Sequence, residues 1–177
     1  MMDRLMGVLT LKAPVYKQIA EDKSATTTAA IIVVVVSLIA GILGAIFLSS
    51  FASSLPAGTP VPSFLGSVIR SLVASVLGWL VGSWVIAFVA NMLGGKTDTG
   101  EMLRVFGFTQ IFGLLGIIPI CGGIVGIVLS IIAAVIGIRE AAEFSTGKAI
   151  LTGVIALVAF FIVGAIVGAI LGVIGLA

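Results

Sequence analysis

The sequence predicts an all-α, polytopic membrane protein: a bundle of five transmembrane helices preceded by an N-terminal interfacial helix. Three observations predict it. Of 177 residues, 60% are hydrophobic and 9% charged. Soluble domains carry about 25% charged residues, so this chain has too few polar groups to cover a water-facing surface. Several apolar runs exceed the roughly 18 residues that mark a membrane span. The charged residues gather in short segments between those runs. A transmembrane barrel would alternate over segments of about 10 residues, and no such alternation occurs.

Residues 1–24 come first. Leu5, Val8 and Leu9, then Val15, Tyr16 and Ile19, fall at helical spacing among Arg4, Lys12, Lys17 and Lys23. This pattern predicts an amphipathic helix on the headgroups, interrupted at Pro14. The membrane domain is 25–177. Its first span, 25–48, holds a β-branched run that would favour a strand in water. In lipid the backbone must satisfy its own hydrogen bonds, so a helix is expected, with Ser24 as N-cap. A signal peptide has an apolar core of only about 7–15 residues, so this longer run is read as a retained span.

Pro56, Gly58, Pro60 and Pro62 then stop any helix. The second span is 66–93, ended by Gly94-Gly95. The third, 102–118, is short and carries Gln110 near its middle. Pro119 suits the first turn of the fourth span, 120–138. A shallow hairpin of these two is the alternative to full crossing. The fifth span is 149–176.

Charge placement orients the bundle. With the N-terminus in the cytoplasm, Arg4, Lys12, Lys17, Lys23, Lys96, Arg104, Arg139 and Lys148 lie inside, eight of the nine basic residues, leaving Arg70 outside. That asymmetry predicts N-in and C-out. All seven acids fall on the same side. The two cytoplasmic loops are expected to adjoin, because short connections keep spans adjacent. Lys96, Asp98, Glu101, Arg104, Arg139 and Glu140 would then form one mixed-charge patch. Local pairing, Glu101 with Arg104 and Arg139 with Glu143, is the purely structural account of the acids.

Small residues recur at four-residue spacing: Gly78/Gly82, Gly122/Gly126 and Gly164/Gly168/Gly172, with Ser67/Ser71/Ser75 beside them. Such stripes let membrane helices approach closely. They predict packing inside the bundle, or a homodimer through the fifth span. Gln110 is the intramembrane polar residue to explain; Arg70 is near enough to the interface to snorkel.

Several functions are excluded or disfavoured. A net charge of +2 is too small to suggest nucleic-acid binding. Cys121 is the one cysteine and histidine is absent, so no Cys/His metal site and no cofactor is expected. "FSTGKA" lacks the glycine and the Ser/Thr that a phosphate-binding loop needs. The carboxylates all lie outside the spans with no base beside a nucleophile, so an enzyme is not expected.

The stretches "NMLGGKTDTGEMLRVFGFTQIFGLLGIIP" and "GIREAAEFSTGKAI", with "LKAPVYKQIAEDKSATTTAAII" before the first span, resemble the Yip domain family of Ypt/Rab-interacting membrane proteins. The resemblance covers nearly the whole chain. It implies five spans, a cytosolic N-terminus and a short C-terminus opposite. The Asp-Leu-Tyr-Gly-Pro motif of trafficking members is absent, and Phe112 stands where their Gly-Tyr-x-x-x-Pro motif has proline. The resemblance therefore carries the topology rather than GTPase binding. The expected function is a non-enzymatic scaffold or adaptor in the cell (inner) membrane, or an endomembrane in a eukaryote. Its charged face would meet anionic headgroups or a protein partner. The alternative is a small-solute or ion permease.

Overall fold

The computed structural model describes residues 2–54, 61–118 and 121–173; the side chains at 53, 163, 164 and 166–173 lie outside that description. The elements are α1 (Met2–Leu9), α2 (Ala13–Glu21), α3 (Ala25–Phe51), α4 (Phe64–Met92), α5 (Thr99–Thr109), α6 (Gly122–Ala141) and α7 (Thr146–Val173). A 3-10 segment, Gln110–Ile117, continues α5, and a short one, Ala52–Ser54, follows α3.

Three helices, α3, α4 and α6, are long and apolar enough to cross a membrane; the described apolar part of α7 is Thr146–Ile162. Their large apolar side chains point outward as well as inward: Phe47, Leu77, Trp84, Ile124 and Phe161 are all exposed. Such a surface suits hydrocarbon, where helices close their own backbone hydrogen bonds.

The third predicted span differs from a plain helix. It begins earlier, at Thr99, and changes to 3-10 geometry at Gln110. It is also the centre of the molecule. Met102, Val105, Phe108 and Phe112 are almost fully buried, and α5 packs against α2, α3, α4 and α6. Glycines make room for it. A Cβ on Gly107 would lie 2.5 Å from the Ala29 Cβ of α3, and one on Gly126 of α6 would lie 2.8 Å from the Phe112 carbonyl. Gly137 of α6 likewise abuts Val105. From α4, the Trp79 indole N–H donates to the Leu103 carbonyl at 2.8 Å.

The small-residue stripes divide. Gly122 and Gly126 make the close approach, the former against Leu115. Gly78 and Gly82 meet nothing within 4 Å, and α4 instead approaches α3 where Ser71 covers Gly41. The surroundings of Gly164, Gly168 and Gly172 lie outside the described residues. So does Pro119, and α6 begins at Gly122 rather than at 120.

The N-terminal segment is a helical hairpin, and its inner face is docked on protein where the sequence pattern assigned it to headgroups. Val8, Tyr16, Ile19 and Ala20 join the main core, and the Tyr16 hydroxyl donates to the Val8 carbonyl at 3.2 Å. The break falls at Leu11, at φ 54°, and Pro14 starts α2 instead of interrupting a helix. Lys12 N donates to the Gly7 carbonyl and Leu11 N to the Val8 carbonyl, each at 2.9 Å, a Schellman cap with leucine in the left-handed position. Ser24 is not a side-chain cap for α3; its hydroxyl donates to Asp22 instead.

Candidate functional site

The ends of α4 and α6 and the starts of α3, α5 and α7 meet at one end of the bundle, covered by the α1–α2 hairpin. The first connection, 93–98, turns at a left-handed Gly94 with φ 84°. Gly95 N donates back to the Ala90 carbonyl at 2.9 Å, closing α4. Asp98 then caps α5: its carboxylate accepts from Glu101 N at 2.8 Å, and the Glu101 carboxylate accepts from Asp98 N at 3.3 Å. The Thr97 hydroxyl donates to Glu101 at 2.8 Å, and the Asn91 amide donates to the Thr97 carbonyl at 2.9 Å. The acids of the loop thus satisfy N–H groups that begin a helix.

The second connection, 142–145, lies against the first. Lys96 N donates to the Ala142 carbonyl at 3.2 Å, and Gly95 packs against the tip of the Phe144 ring. Lys148 donates to the Leu93 carbonyl at 3.2 Å and lies 5.4 Å from the centre of the Phe144 ring. The two loops therefore touch, as the short connections predict. Their charges pair differently from the expected pattern. Arg139 bridges to its neighbour Glu140 at 2.8 Å. Glu143 reaches Lys17 of α2 at 3.3 Å, because its left-handed backbone, at φ 55°, turns it off the α6 axis.

Arg104 leaves the patch altogether. It is 6% exposed, and its guanidinium donates from Nε and Nη2 to the Ala20 carbonyl, the first at 2.8 Å. It caps the C-terminal end of α2, where a cation meets unsatisfied carbonyls, and no acid among the described residues bridges to it. Its four-residue register with Phe108 of α5 and Phe112 of the 3-10 continuation was the available sign that this position faces inward. The surface face therefore comprises Lys96, Asp98 and Glu101, the Arg139–Glu140 pair, and Lys17, Glu143 and Lys148, which the sequence pattern did not single out as part of the face.

Beside it, Arg4 bridges to Asp22 at 2.6 Å. Hydrogen bonds from Ser24, then from Arg4, hold the Asp22 carboxyl down at about 2. Burial pushes the Tyr16 phenol above its ordinary range. Gln110 lies far from this face, half-buried beside α6. Among the described residues no group of three or more metal-binding side chains occurs.

A family model, that of the Yip1 domain, matches residues 6–174. Neither the curated proteins nor the solved structures give a match.

Proposed function

The chain belongs to the Yip1 domain family, and on that premise we propose that it is a non-enzymatic membrane scaffold whose charged end docks a protein partner at the cytoplasmic surface. The observation that carries the proposal is the fastening of loop 93–98 to loop 142–145 through Lys96 N and the Ala142 carbonyl. A surface held by backbone bonds is ordered before a partner arrives, so little conformational entropy is lost on docking. Arg139 and Glu140 are half-buried, while Lys96, Asp98 and Glu143 are exposed, a mixed-charge rim suited to selecting among partners rather than to binding tightly.

The reading takes a bundle of five spans, and the length of the α5 element fits it. Eleven α-helical residues in α5 and eight in its 3-10 continuation rise about 32 Å together, close to the roughly 30 Å of hydrocarbon. The exposed stripe Met2, Met6 and Leu9, with Arg4 and Lys12 near it, would rest on anionic headgroups. The packed centre at Phe108 and Phe112 favours a scaffold over a permease.

A photo-crosslinking side chain at Lys96 in intact cells tests the docking face, with Ser49 at the opposite end as control. A discrete adduct from position 96, weakened by reversing Arg139 and Glu140 together, is expected. Identical adduct patterns from the two positions would sink the proposal. So would labelling of Thr97→Cys (in Cys121→Ser) by an impermeant reagent from outside, or a solute flux in proteoliposomes that Gln110→Leu abolishes.

A further inference from the structure

A groove runs along the outside of the bundle between α6 and the α5/3-10 element. It comprises two adjoining hollows of about 250 and 380 Å³, sharing Ser130 and Ile131. Gly116 and Gly123 face each other across its far part, and a Cβ on either would meet nothing within 4 Å. Near its middle lie two polar side chains, Gln110 and Ser130. The Thr109 hydroxyl is satisfied by the Phe106 carbonyl at 2.9 Å. The Gln110 amide and the Ser130 hydroxyl, both half-buried, have no such partner among the described residues. Gln110 begins the segment after the eleven residues of α5, about 17 Å along the helix from the charged end, a depth that falls within a roughly 30 Å hydrocarbon layer.

We propose that this groove is an interface between two copies of the chain, with the Gln110 amides and Ser130 hydroxyls hydrogen-bonded across it. The proposal rests on the membrane setting of the bundle but not on the docking role of its charged end. An acyl chain fits the apolar walls yet offers nothing to an amide, and a polar group left unpaired in hydrocarbon is strongly disfavoured. A primary amide carries donors and an acceptor, so it is complementary to itself. A twofold axis along the membrane normal keeps both copies in one orientation and sets like residues near each other. Shape agrees. Ile124, Val128 and Ile132 of α6, four residues apart, form an exposed ridge beside the groove, so each copy presents a ridge to the other's hollow. The absence of side chains on Gly116 and Gly123 permits the close approach that membrane helices exploit. This surface is distinct from α7, where the glycine stripe suggested a homodimer.

The test uses the full chain, fluorescently labelled and reconstituted at decreasing protein-to-lipid ratio, with dimer fraction read by photobleaching steps. Gln110→Leu is expected to weaken association by about 3- to 30-fold, the range that interhelical hydrogen bonds give in membranes. Gly123→Leu projects into the hollow from a position where the added Cβ meets nothing within 4 Å, so it should lower the dimer fraction, with Gly123→Ala as the control for the helix itself. Ser130→Cys in a Cys121→Ser background should form an intermolecular disulfide under mild oxidation. A dimer fraction unmoved by both Gln110→Leu and Gly123→Leu would overturn the proposal. So would a monomer at every ratio, which assigns the groove to lipid, or oxidation that links Leu157→Cys on α7 but never Ser130→Cys.

Discussion

The contact between α5 and α3 provides the sharpest quantitative test of this fold. Replacing Gly107 with alanine adds one methyl group. Its carbon would sit 2.5 Å from the Ala29 Cβ, 3.0 Å from the Ala29 Cα and 3.1 Å from the Ala29 carbonyl oxygen. Two of these neighbours are backbone, so a rotamer change cannot relieve the clash and the helices must separate. Overpacking of this kind costs about 1–3 kcal/mol. Alanine also recovers up to about 1 kcal/mol of helix propensity relative to glycine, which partly masks the loss. Gly78→Ala supplies the correction: it lies within α4 with nothing inside 4 Å, so it carries the propensity gain without the clash. The difference between the two variants should therefore be about 1–3 kcal/mol, with Gly107→Ala the less stable. Unfolding of the purified protein in mixed detergent and SDS micelles measures both. Adding Ala29→Gly to Gly107→Ala removes the nearest carbon but leaves the backbone atoms, so rescue should be partial. Equal stability of Gly107→Ala and Gly78→Ala would refute the packing argument, and Gly107→Ala being the more stable would reverse it.

Asp98→Ala removes the acceptor for Glu101 N and should cost about 1 kcal/mol in the same assay; Asp98→Asn should retain most of it, and equal losses would show that the cap is incidental. Asp22 gives a pH dependence of known sign. Its folded carboxyl sits at about 2, below the ordinary value of about 3.9, so its contribution is complete above about pH 4 and fades as pH falls toward 2. The difference in melting temperature between the parent chain and Asp22→Asn should shrink over that interval, and a constant difference would refute the assignment.

What the sequence by itself determined follows from solvent. Hydrocarbon tolerates few charges, so composition named the membrane, the long apolar runs marked the helices α3, α4 and α6 to within a few residues, and the positions of Lys, Arg, Asp and Glu placed one polar end. Loop length alone indicated that 93–98 and 142–145 adjoin. The inside of the bundle was another matter. In water, a helix announces its buried face by alternating apolar and polar stripes. In lipid, both faces are apolar, and α3, α4 and α6 expose Ile and Val as freely as they bury them. Nothing in the pattern could then say that Gly107 and Gly126 meet neighbours while Gly78 and Gly82 do not. The same reason hid the centre. The third candidate span is the shortest and carries Gln110, which left a shallow hairpin as the alternative to full crossing; the tertiary structure puts α5 at the centre of the packed core. Its N-terminal acids are used as a cap, its arginine caps the end of α2, and its Thr109 hydroxyl bonds to the Phe106 carbonyl. The N-terminal hairpin follows the same logic, since an apolar stripe beside cations suits headgroups and a protein groove equally well. Tertiary packing chose protein for Val8, Tyr16 and Ile19, because α5 and α6 leave a surface there that those side chains fill.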